Sequence, residues 1–187
     1  MNAQEFRELQ RQARLRELES YPSTTHFKHA FSLTLAPAKG TQTIATATNV
    51  FQGHINECFL LPSVNQSSSD TNATVLDVLD MTEDGDYKTL FASFWRDLFS
   101  ICLSQGQIVN FCLTYPEYLR KNAYGTLFLF SVKCSNSEGH ELLVAEVRVC
   151  AGRLHALLYP YRDKYVWDKR FSHRLVVPKG LPIQSSL

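Results

Sequence analysis

No window of this 187-residue chain holds the roughly 18 apolar residues that a membrane-spanning helix needs. The first residues are charged and polar, without the apolar core of a secretory signal, so none is expected. No CxxC pair occurs. The five cysteines (Cys58, Cys102, Cys112, Cys134, Cys150) are odd in number and far apart. That argues against a disulfide framework or a zinc site, and for reduced thiols in a cytoplasmic compartment. The six histidines form no HExxH or similar ligand pattern, so no metal is expected. The Gly-rich phosphate loop, the GxGxxG turn and the GxSxG elbow are all missing. Each absence removes a standard route to nucleotide, cofactor or nucleophile chemistry, and no cofactor is expected.

Positive charge is missing over one long stretch. Residues 40–87 contain no Lys or Arg but carry Glu57, Asp70, Asp77, Asp80, Glu83, Asp84 and Asp86. Residues 148–179 reverse the sign, with eight Lys or Arg against Asp163 and Asp168. The formal net charge of +1 hides this split, which suits self-association or a charged protein partner.

What is present is most strongly patterned over residues 87–104. At about 100° per residue, Tyr87, Leu90, Phe91, Phe94, Trp95, Leu98, Ile101 and Cys102 share one broad arc. The polar stripe is narrow, so the pattern predicts a helix buried on more than one side. Asp84 and Asp86 suit its N-terminus and Gly106 its C-terminal cap. Asp80, Thr82, Asp84 and Gly85 resemble the start of a calcium loop, but Phe91 stands where the bidentate Glu belongs.

Around that helix the chain reads as strand. Residues 26–64 suggest three antiparallel strands, within 26–37, 41–51 and 54–64. The polar stretch 65–74 reads as a flexible loop. Residues 107–115 read as a strand and Pro116 as the start of a helical turn. The clearest β pattern is 124–159. A two-residue turn at Ala151 and Gly152 sets Val149 opposite Leu154, Val147 opposite Ala156 and Ala145 opposite Leu158. Carried across the preceding loop, the pairing puts Phe130 opposite Ala145 and Phe128 opposite Val147. A short helix near 163–170 and a last strand at 173–178 follow. The expected fold class is therefore α+β. Residues 26–187 form a single domain in which a central buried helix packs on antiparallel meanders, and residues 1–22 form a charged helical arm.

Two groups of residues could carry function. The first is the polar side of the 146–155 hairpin, where Glu146, Arg148, Cys150, Arg153 and His155 project together. Guanidiniums favour a thiolate and an imidazole can act as base, so Cys150 with His155, Arg148 and Glu146 makes a small enzyme or ligand carrier conceivable. Opposite charges pairing on a solvated sheet face explain the same residues. The second group interleaves cations and rings: Tyr161, Arg162, Lys164, Tyr165, Trp167, Lys169, Arg170 and Arg174. Such mixtures stack bases and track phosphates of single-stranded nucleic acid, and they also anchor protein interfaces. The total charge gives no extended basic field. The sequence therefore favours a non-enzymatic interaction or adaptor module that binds through the mixed sheet face at Arg153 and through the basic-aromatic segment, one that could form an oligomer, without a membrane role.

Overall fold

The computed structural model describes residues 26–92, 97–122, 124–134 and 139–179. The expected charged arm at 1–22 lies outside them, as do residues 93–96 of the expected central helix.

A single seven-stranded mixed sheet organises the chain. Its strands are β1 (Phe27–Leu35), β2 (His54–Ile55), β3 (Thr74–Met81), β4 (Gly125–Lys133), β5 (His140–Cys150), β6 (Arg153–Pro160) and β7 (Arg174–Pro178). The order across the sheet is β1-β3-β7-β4-β5-β6-β2. The β4–β7 and β6–β2 pairs are parallel and the other four are antiparallel. A bulge between His29 and Phe31 interrupts β1.

This architecture overturns the expected α+β plan. A sheet, not a helix, is central. The described α-helices are α1 (Tyr87–Ala92), of six residues, and α2 (Gln105–Thr114), of ten. The pattern over 87–104 splits into pieces. After α1, Asp97 is extended and caps a 3-10 turn at Leu98–Ile101 by accepting the Phe99 N–H. Cys102 is extended again. Ser104, the last residue of the expected helix, instead caps the start of α2. Its hydroxyl accepts the Gln107 N–H while the Gln107 side chain accepts the Ser104 N–H, a complete capping box. That box turns the expected strand at 107–115 into helix.

The N-terminal meander also gives way. Residues 41–51 form successive turns, not a strand, with Ile44, Ala47, Val50 and Phe51 buried. Their spacing of three and four is helical, and the Ala47 carbonyl accepts from both Val50 and Phe51. Only His54–Ile55 of the third expected strand pairs, and a 3-10 turn at Glu57–Leu60 follows. Strand β1 pairs instead with β3, across the 65–74 loop. That loop is tied down: Thr71 bridges to Ala38, Asp70 accepts the Gly40 N–H, and Gln66 exchanges two hydrogen bonds with the Lys133 backbone.

The β5–β6 register is the expected one, residue for residue. Ala151 and Gly152 both have positive φ, 49° and 75°, as a type I′ turn requires. The β4–β5 register is shifted by two, with Phe128 opposite Ala145 and Phe130 opposite Leu143. A shift of two keeps every side chain on its face.

Both faces are buried. On one, Phe128, Phe130, Ala145, Val147 and Val176 pack under Ile108, Val109 and Phe111 of α2 and under Ile44, Phe51 and Phe59. On the other, Leu127, Leu129, Val144, Leu175 and Val177 pack under Tyr87, Leu90 and Phe91 of α1, with Ile101 and Trp167. The apolar face expected to receive the 87–104 helix is thus covered by α2. Helix α1 sits on the face expected to be mixed and polar. The 3-10 turn at Pro116–Tyr118 appears where Pro116 signals it, whereas the helix expected near 163–170 is only a 3-10 turn at Lys169–Phe171.

Candidate functional site

The hairpin residues do share a face, but burial separates their roles. Glu146 is fully buried and Arg148 grips it with two bonds, Nε to Oε1 at 2.7 Å and Nη2 to Oε2 at 2.9 Å. Burial pushes the Glu146 carboxyl above its ordinary range, against the pull of Arg148. On the neighbouring strand Gly125 leaves room for the carboxylate: a Cβ there would lie 2.2 Å from Oε1. The carboxylate is enclosed within the sheet, while the Arg148 side chain is 31% exposed. Cys150 is half-buried opposite Arg153, while His155 stands opposite Arg148 with its ring against Gly53.

Beside Gly125 lies His173, buried, its Nδ1 accepting the Gly125 N–H at 2.9 Å. Burial, reinforced by Arg148 and Arg120, lowers its pKa to about 4, so the imidazole is neutral. Its ring meets the edge of Trp167 at 4.7 Å. Sequence reasoning missed His173 because a lone histidine carries no pattern.

Asp80 belongs to neither a calcium loop nor a helix cap. One oxygen, Oδ1, accepts from Nη2 of Arg120 at 2.9 Å and from Nε of Arg174 at 2.8 Å. Arg174 also donates to the Tyr118 carbonyl and lies over the Phe31 ring. Arg174 is therefore committed to the fold.

The cation–ring segment divides in the same way. Trp167 is buried, exchanges backbone bonds with Gly85, and packs against Tyr87, Tyr159 and Tyr165. Lys169 pairs with Glu83 at 2.7 Å, and Arg170 clasps Asp168 with its Nε and Nη2. Arg162 and Lys164 have no ion-pair partner among the described residues. Tyr161 and Arg162 line a cavity of ≈ 510 Å³ together with Phe99, His140, Leu142 and Pro160. Phe99 and His140 meet edge to face at 6.1 Å. Phe99, Tyr165 and Val166 are 51, 60 and 58% exposed, unusual for residues of this size. The structure thus brings together Tyr161 and Arg162 with two residues that sequence reasoning did not assign, Phe99 and His140. They come from different elements, and only the fold unites them.

A Ser/His/Asp group on β1 and β3 is not a hydrolytic triad. Ser32 donates to Asp77 Oδ1 at 2.7 Å, and His29 Nε2 contacts both Ser32 Oγ, at 3.0 Å, and Asp77 Oδ1, at 3.4 Å. A nucleophile relay needs the serine and the carboxylate on opposite ring nitrogens.

Among the described residues no helix is long and apolar enough to cross a membrane, and no group of three His, Cys, Asp or Glu is placed to hold a metal ion. No protein-family model matches this chain, and no curated protein or solved structure matches it either.

Proposed function

We propose that this chain is a non-enzymatic binding module for an acidic protein surface, using the cleft lined by Phe99, His140, Glu141, Tyr161 and Arg162 together with the exposed residues 164–166 that follow it. One observation carries the reading. Of the five cations between Arg162 and Arg174, three are held by carboxylates of the chain itself, and the two left over, Arg162 and Lys164, adjoin the exposed rings. Exposed aromatic groups beside cations that no described carboxylate holds are the composition of interface anchors. The buried Trp167 speaks against base stacking along the whole segment, which favours a protein partner over single-stranded nucleic acid. The fully buried Glu146 and the arginine, not imidazole, opposite Cys150 speak against the thiol-enzyme alternative. Five free cysteines fit a reducing, cytoplasmic setting for such an encounter.

The test is co-purification from native extract, with nuclease-treated and untreated samples compared. The unaltered chain, an Arg162→Glu/Lys164→Glu double variant, and a Lys39→Glu control are used side by side. A protein retained by the first and third but lost from the second supports the reading. A partner kept equally by all three, or lost on nuclease treatment, overturns it.

A further inference from the structure

Strand β4 pairs with β5 along its whole length but changes partners on its other side. There β7 accompanies it only from Thr126 to Phe128, and single groups from loops take over beyond. The Leu129 C=O accepts the Leu103 N–H at 2.8 Å. Lys133 donates its N–H to Gln66 Oε1 at 2.9 Å, and its C=O accepts from Gln66 Nε2 at 2.9 Å. Residues of a strand turn their backbone groups to alternate sides, so Leu129, Ser131 and Lys133 face this edge. The opposite side gives the same parity. Tyr161 donates to the Leu142 C=O, which therefore faces β6, and Ser131 stands opposite Leu142. In such a pair both residues bond outward, so the Ser131 N–H and C=O point away from β5. Among the described residues nothing pairs with them. Strand backbone left unpaired inside a fold is rare.

The open donor and acceptor face a cavity of ≈ 390 Å³. Its other walls are the 66–69 loop, Ser104 and Gln105 at the start of α2, and Lys133 and His140. No Asp or Glu lines it. Lys133 has no ion-pair partner among the described residues. A volume of this order takes a small ligand or the end of a chain, not a folded domain. A strand running along β4 would collide with Leu103 on one side of Ser131 and with Gln66 on the other. A chain end avoids both. Its last N–H reaches the Ser131 C=O, and one terminal oxygen accepts the Ser131 N–H, the exchange that paired strand residues make. The second terminal oxygen is left for the Lys133 ammonium, a charge-assisted contact. An amino terminus would meet cations instead of a carboxylate.

We infer that this slot takes the C-terminal carboxylate of a partner chain. His140 lines both this cavity and the cleft that holds Phe99 and Arg162. A chain ending at Ser131 leaves across His140 toward Arg162 and Lys164, where acidic residues upstream of its terminus meet cations. Glu141 also lines that cleft, so those acids belong on its Arg162 side. The inference rests on the acidic-partner reading for this direction, and it names the element of the partner that enters.

A random hexapeptide library tests it, prepared once with a free C-terminal carboxylate and once with a C-terminal amide. Each form is passed over the immobilised chain, and retained peptides are quantified by mass spectrometry. The carboxylate form should be retained about tenfold over the amide, the worth of one charge-assisted contact. Lys133 is exposed and lines this cavity but not the cleft, so Lys133→Gln should lower that ratio severalfold. Arg162→Glu/Lys164→Glu should keep the ratio and lose only the enrichment of Asp and Glu among retained peptides. Equal retention of the two forms overturns the inference, as does a ratio unchanged in Lys133→Gln. A preference for the carboxylate with no enrichment of acids on the unaltered chain supports the slot and sinks the acidic-partner reading, so the two fail separately.

Discussion

Gly125 and Glu146 occupy adjoining space: a Cβ on the glycine would sit 2.2 Å from the Oε1 of the carboxylate. The glycine is required by its neighbour and not by its own backbone angle. Gly125→Ala must displace either strand β4 or the buried ion pair. The expected cost is about 1–3 kcal/mol, the range for overpacking a close-packed interior. Urea denaturation of the variant measures it. An unchanged midpoint would mean that the carboxylate has room to move.

Arg148 should matter chiefly through what it leaves behind. Arg148→Met strands a buried carboxylate and should cost about 3 kcal/mol near neutral pH. Glu146→Gln/Arg148→Met removes both charges and should recover most of that loss. The pH dependence gives a second readout. Burial raises the folded pKa of Glu146, so its contribution to stability is fully present below the ordinary carboxylate range and lost as pH rises through the folded value. Arg148→Met removes the opposing pull, which should make the variant recover stability on acidification.

His173 should contribute in the opposite direction. Its folded pKa is lowered from 6.5 to about 4, so its contribution is present above 6.5 and is lost as pH falls through about 4. Full protonation should remove about 3 kcal/mol, because each tenfold change in proton affinity is worth ~1.4 kcal/mol. His173→Asn keeps an oxygen to accept the Gly125 N–H and cannot titrate in this window. Its stability should be flatter between pH 6.5 and 4 in a series of denaturation curves. A slope equal to the parent's would assign the acid loss elsewhere.

The hairpin turn can be improved. Ala151 holds φ 49°, where a Cβ is disfavoured, while Gly152 beside it is at ease. Ala151→Asn gives the Asn-Gly pair that type I′ turns prefer. A gain of about 0.5–1 kcal/mol is expected by thermal or chemical denaturation. No gain would show that the turn's strain is relieved by other means.

These four sites also show where the sequence is legible. The β5–β6 pairing is readable because a two-residue turn at Ala151 and Gly152 fixes which residues stand opposite each other. The β4–β5 pairing is not, because a longer loop permits shifts of two that leave the faces unchanged. Helix α2 is announced by Ser104 and Gln107, but a β-rich composition at Ile108, Val109 and Phe111 masks it. Over 41–51, β-branched threonines suggest a strand, while Ile44, Ala47 and Val50 already carry the helical spacing. In the cleft, Tyr161 and Arg162 stand out by type. Phe99 and His140 join them only through tertiary contacts that no local pattern encodes.

Strand β7 lies between β3 and β4, and those two strands touch each other through no backbone pair. Residues 174–178 are the last of the described strands to leave a ribosome. Until they emerge, β1–β3 and β4–β5–β6 are two separate pieces, each presenting a raw edge toward the gap. At synthesis rates of about 5–20 residues per second, that interval lasts seconds. A chain halted between Pro160 and Arg174 would hold two half-sheets with no strand to pair them. Strand β7 therefore works as a keystone: completion of the sheet waits on it, and termination before Arg174 should yield an aggregating product instead of a smaller folded one.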